Sequence, residues 1–162
     1  MLLSAAMAEG QEGRGFRLEQ LNDTLSVLML TTDSTSDGWR LPYPVYRFAT
    51  GDVDGDGRED ALVGVVKSTR YYPEVARRIF IFKNYHGLVR SLWLGSRLGG
   101  ILQDFCFAGG RVRSLELTAD SLYVVAEYRW QQFGLGFERF LCRNTGRDEA
   151  LAVYSSGIIG KR

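Results

Sequence analysis

Four aspartates within nine residues are the first candidates for chemistry in this 162-residue sequence. In Gly51-Asp-Val-Asp-Gly-Asp-Gly-Arg-Glu-Asp60, Asp52, Asp54, Asp56 and Asp60 fall at positions 1, 3, 5 and 9 of a tight turn. Gly57 occupies position 6, where a loop wrapping a cation reverses sharply and needs a residue tolerant of unusual dihedrals. Arg58 at position 7 would offer its backbone carbonyl. Hard oxygen donors at this spacing suit calcium. Two carboxylates about 5 Å apart repel by about 3 kcal/mol at an effective dielectric of 20. Four in one turn therefore take a cation or splay into solvent. The plain alternative is a solvated acidic turn whose Asp-Gly pairs close a hairpin. Position 12 carries Val63 where an EF-hand places its bidentate Glu, so the loop is not an EF-hand.

Other constellations are weaker. Asp52-Val53-Asp54 could imitate the nucleophile and acid of a dehalogenase-type phosphatase, but Asp56 stands where that chemistry wants Thr or Val. His86 is the single histidine and sits in a turn, which leaves no base for a triad. Ser96 lacks the glycine two residues later that a nucleophile elbow needs. Glu116, Glu127 and Glu138 are the best carboxylates for an unrecognised hydrolase acting on glycans or phosphate esters, provided two of them face one pocket. Glu127, Arg129 and Trp130 alternate around Tyr128 as a polar face. From Lys67 to Arg97, seven cations (Lys67, Arg70, Arg77, Arg78, Lys83, Arg90, Arg97) stand against Glu74, with Tyr71, Tyr72, Tyr85 and Trp93 among them. They read either as a patch for an anionic partner or as solvated outward positions, with one or two paired to the acidic loop.

Composition sets the frame for these residues. The apolar share of 45%, the charged share of 24% and a net charge of +1 fit a single globular domain. They make no global case for nucleic acid. Nineteen glycines against three prolines, with aromatic and β-branched runs between them, favour an all-β architecture. Residues 1–12 read as a signal-peptide remnant or flexible N-terminus, because Ala6-Met7-Ala8 has the small-x-small form of a cleavage site. Residues 13–162 read as one all-β domain with the calcium loop at 52–60. No run is long enough to span a membrane as a helix. Cys106 and Cys142 lie in apolar strand-like segments and suit free core thiols, although export would let them pair.

The predicted strands are Phe16–Leu21, Leu25–Leu30 (buried on both faces), Val45–Ala49, Ala61–Val66, Ile79–Phe82, Leu88–Leu94, Ile101–Phe107, Val112–Leu117, Leu122–Tyr128, Phe133–Leu141 and a weaker Leu151–Tyr154. Thr31–Gly38 reads as a loop and Lys67–Arg78 as a long polar connection. Phe48-Ala-Thr-Gly51 is echoed by Phe107-Ala-Gly109, which suggests a repeat whose second copy has lost the aspartates.

The stretch Phe48-Ala-Thr-Gly-Asp-Val-Asp-Gly-Asp-Gly-Arg-Glu-Asp-Ala-Leu-Val-Gly-Val65, within residues 46–66, resembles an FG-GAP or VCBS-type repeat. These are the calcium-binding propeller-blade repeats of integrin α-subunits and many secreted bacterial proteins. The resemblance implies antiparallel, propeller-blade-like sheets in a partial or small propeller, with a β-sandwich or barrel as the alternative. It implies Asp52, Asp54, Asp56 and Asp60 as side-chain ligands and Arg58 as carbonyl ligand of a structural Ca2+. The function expected is that of a non-enzymatic, exported β module that binds a protein or glycan. A self-associating envelope protein, pairing its sheet edges between copies, is a further alternative.

Overall fold

The computed structural model of the chain describes residues 13–95 and 98–157. The leader-like segment, Ser96 and Arg97 lie outside them. Eleven strands and one helix follow in order: β1 (Gly15–Asn22), β2 (Leu25–Thr31), β3 (Ser36–Leu41), β4 (Val45–Gly51), β5 (Asp60–Lys67), β6 (Ala76–Tyr85), β7 (Leu88–Leu94), β8 (Ile101–Ala108), β9 (Arg111–Leu117), β10 (Tyr123–Gln131), β11 (Gly134–Thr145) and α1 (Arg147–Ser155). The protein is all-β, built of three antiparallel, blade-like sheets, none closed into a barrel. Sheet A runs β1-β2-β3, sheet B β4-β5-β6-β7 and sheet C β8-β9-β10-β11, so within each sheet every strand pairs with its neighbours in the chain.

The period of two along each strand decides how these sheets stack. On β5, Ala61, Val63 and Val65 point one way and join Leu28, Leu30 and Leu41 of sheet A in one core. Leu62 points the other way and, with Ile79 and Ile81 of β6, meets Phe105, Val112 and Ala126 of sheet C in a second core. The far face of sheet C, carrying Leu115 and Val125, is covered by Ala150, Leu151 and Val153 of α1. The order of layers is therefore A, B, C and helix. Sheet B is apolar on both faces because it is the middle layer.

Four predictions are corrected here. Leu151–Tyr154 is helical, not extended: Asp148 and Glu149 occupy the first turn of α1, where negative charge favours a helix start. Its Ala150 is fully buried against sheet C. The expected loop 31–38 contains the start of β3, whose Trp39 and Leu41 reach the A–B core. Strand β2 alternates, with Ser26, Leu28 and Leu30 buried and their neighbours half-buried, so it is not buried on both faces. Strand β6 begins at Ala76, inside the expected polar connection.

The echo between Phe48 and Phe107 is topological as well as sequential. Strands β4 and β8 each open a four-stranded meander. Phe48 packs toward sheet A and Phe107 toward sheet B, in each case toward the preceding layer. Gly51 ends β4 directly beneath Phe107; a Cβ there would lie 2.3 Å from its ring, so only glycine admits the contact.

Candidate metal site in the β4–β5 loop

The loop between β4 and β5 is shaped by its own carboxylates. Asp52 Oδ1 accepts from the N–H groups of Gly55 (2.9 Å) and Asp56 (3.1 Å), and its Oδ2 from Gly57 N–H (2.9 Å). Asp54 Oδ1 accepts from Asp56 N–H at 3.3 Å, and Asp56 Oδ1 from Arg58 N–H at 2.8 Å. Gly55 and Gly57 take φ of 77° and 83°, the left-handed values that glycine adopts without a Cβ penalty. The turns thus draw backbone N–H groups around the aspartates.

Asp52, Asp54 and Asp60 each offer an oxygen within 4.8 Å of the others. Asp60 is the buried member, at 0% exposure. Its Oδ2 accepts from Val53 N–H at 2.8 Å, whereas Oδ1 is buried and has no partner. Burial, reinforced by the neighbouring charges of Asp54 and Asp56, pushes the Asp60 carboxyl up to about 6. An ionised carboxylate with one orphaned oxygen is costly in such a place unless a cation joins it. Val53, also buried, anchors the loop in the B–C core.

Two of the residues predicted from sequence stand apart from this trio. Asp56 turns its Oδ2 to Lys83, at 3.2 Å, and Lys83 Nζ also meets Asp54 Oδ2 at 2.8 Å. Arg58 is tethered through its N–H to Asp56 Oδ1. Lys83 comes from β6, and sequence reasoning placed it in the general basic run rather than in the loop. The signal lies in strand register: Ala61 pairs with Phe82, so the next residue of β6 reaches the place beside Asp60. The ammonium stays protonated well into the alkaline range, chiefly because it donates to Asp54.

The other candidate chemistry separates. Glu116 is buried on the sheet-B side of sheet C, where Ser114, the Tyr128 hydroxyl and Gly100 N–H donate to it. Glu127 lies on the opposite face, bridged by Arg139 (2.6 Å) and Arg113 (3.6 Å). Glu138 is bound by Arg111 and Arg129. Glu116 is thus separated from the other two by the sheet, while Glu127 and Glu138 are each held by arginines. His86 is exposed in the β6–β7 turn with φ of 51°, its ring against Tyr85. Cys106 and Cys142 are free and half-buried. Comparison with models of protein families, with curated proteins and with solved structures finds no match.

Proposed function

We propose that the β4–β5 loop is a structural calcium site in a non-enzymatic, exported β module of the propeller-blade kind, which presents its surface to a protein or glycan. The observation that carries the site is the orphaned, buried oxygen of Asp60 beside the carboxylates of Asp52 and Asp54. Those three would supply the first ligands, with Asp56 and the Arg58 carbonyl completing the set once Lys83 is displaced. Oxygen donors alone, several of them charged, match a hard cation such as Ca2+. The bound ion would relieve the repulsion among the aspartates and fix β4 to β5.

Glu116, Glu127 and Glu138 are each engaged by donors of the fold itself, which favours binding over hydrolysis. Among the described residues, no helix is long and apolar enough to cross a membrane. One observation favours self-association as a second reading: β11 is a sheet edge, and Phe137 and Phe140 on it are about half exposed.

Thermal unfolding with calcium and with chelator tests the site. Saturation at about 100 times Kd adds about 2.7 kcal/mol, which for this chain length raises Tm by several degrees. Asp54→Ala should abolish the rise. An unchanged Tm in millimolar calcium would overturn the proposal. Light scattering at rising concentration tests self-association, and Phe137→Ser with Phe140→Ser should abolish any dimer it detects.

A further inference from the structure

The basic run between Lys67 and Arg90 does not form one surface. Lys83 neutralises the acidic loop, and Arg90 approaches Asp37 at 3.8 Å. Lys67, Arg70, Arg77 and Arg78 gather at the opposite end of sheet B, where β5 finishes and β6 begins. Strand β5 separates that rim from Asp60 by about 23 Å. This is well beyond the roughly 8 Å screening length at physiological salt, so the acidic loop does not quench it.

None of these four cations makes an ion pair among the described residues. They rest on aromatic rings instead. Lys67 Nζ lies 4.6 Å from the centre of Tyr43, Arg77 lies 4.7 Å from Tyr46, Arg78 5.6 Å from Tyr72 and Arg70 5.8 Å from Tyr71. A cation over a ring is held in place; Arg77 also donates to the Gln103 carbonyl, and its remaining N–H groups, with those of Lys67 and Arg70, face outward for an anion. Arg78 is only 6% exposed; it donates to the carbonyls of Lys67 (3.4 Å) and Glu74 (3.0 Å) and so braces the 67–78 connection. It adds a buried positive charge that no carboxylate cancels. Nearby, Arg47 engages Asp104, and Glu74 lies exposed and unpaired, which leaves the rim net positive.

We infer that this rim is a second binding site, for a glycan strand carrying sulfate or carboxylate groups on successive sugars. The spacing of the cations sets the valence of the ligand. Lys67 sits on the face of sheet B that looks to sheet A, with Tyr43 and Phe80. Arg77 sits on the face that looks to sheet C, with Tyr46. One small anion cannot touch both sides of a sheet, whereas a chain of anionic sugars can cross its end. Tyr71, 78% exposed, offers a flat surface at the same rim for a sugar ring. Single-stranded nucleic acid fits less well, because successive bases need a row of free aromatic faces, whereas Tyr43, Tyr46 and Tyr72 carry cations and leave Tyr71 alone for stacking.

Binding of a sulfated heparin hexasaccharide and of a carboxylated oligogalacturonate hexamer, measured by calorimetry in chelator at about 50 mM salt, tests the rim. Wild type should bind at least one of them, and the stronger of the two identifies the anionic group. Lys67→Gln with Arg70→Gln and Arg77→Gln should weaken binding at least about tenfold and flatten its salt dependence. Arg40→Gln, an exposed cation on sheet A, should bind as wild type. If the triple variant loses its cooperative melt, Arg70→Gln alone, at an exposed position, must still weaken binding. No binding of either glycan, variants that bind as wild type, or tighter binding of a ten-base oligothymidylate would overturn the inference. Because calcium is absent throughout, these outcomes are independent of the metal site.

Discussion

The β4–β5 and β8–β9 connections occupy the same place in two sheets of identical order, yet they differ in almost everything else. The second is a tight turn, with Gly109 and Gly110 at φ of 59° and 76° joining Ala108 to Arg111. The first spends residues 52–59 on the same task and fills them with carboxylates. A meander of this kind needs only two residues to reverse. The acidic loop is thus surplus to the fold, and its backbone is bent around aspartate oxygens rather than around strand pairing. The strands that lead into them touch, through Phe107 on Gly51.

The sharpest way to break the comparison is at that contact. Gly51→Val should cost about 2–4 kcal/mol, since the ring of Phe107 has nowhere to go without disturbing the B–C core. Equilibrium urea unfolding measures it, and a near-neutral result would mean that the two connections are independent.

Asp60 distinguishes the loops electrostatically. Its carboxyl is pushed up to about 6 in the folded chain, above the ordinary 3.8. Ionisation therefore opposes folding. In chelator, the Asp60 contribution should be most favourable below about pH 4 and decline as pH rises through 6, by at most about 3 kcal/mol. Asp60→Asn should flatten that slope and remove the stabilisation by calcium. Tm against pH, with and without calcium, reads both effects.

Lys83 comes next. Lys83→Met should lower chelator stability by about 1 kcal/mol, the upper end for an ion pair near the surface, and tighten calcium binding, because the ion no longer displaces an ammonium. Titration with calcium checks it; weaker binding would assign Lys83 a supporting role instead. The smallest effects belong to the tight turn. Gly110→Ala should cost about 1 kcal/mol for its left-handed φ, and Gly110→Asn less.

Much of this comparison was legible in the residues. The apolar runs of β5 and β6, the alternation on β9 and β10, the turn glycines and the spacing of the aspartates all report local preferences, and those are what a sequence displays. What it concealed depended on distant partners. Asp60 reads as one ligand among four, and only the stacking of sheets B and C shows it buried with an oxygen unmatched. Lys83 is 29 residues from Asp54, and hairpin register alone brings it there. Ser36-Asp-Gly38 reads as a turn, but pairing with β2 draws it into β3, where a Cβ on Gly38 would lie 3.0 Å from Met29 Sδ. In α1, Leu151, Val153 and Tyr154 imitate a strand over too few residues for a helical period to emerge.

The helix carries a consequence for the order in which the chain can complete itself. Every strand that α1 covers precedes it, so on the ribosome sheet C is finished before its lid exists. Leu115, Val125 and the flank of Cys142 remain bare until residues 147–155 emerge. Domains form from the N-terminus onward during synthesis, and transiently exposed apolar surface is where misassembly starts. Here that hazard falls on one face of sheet C, and nine helical residues bring it to an end.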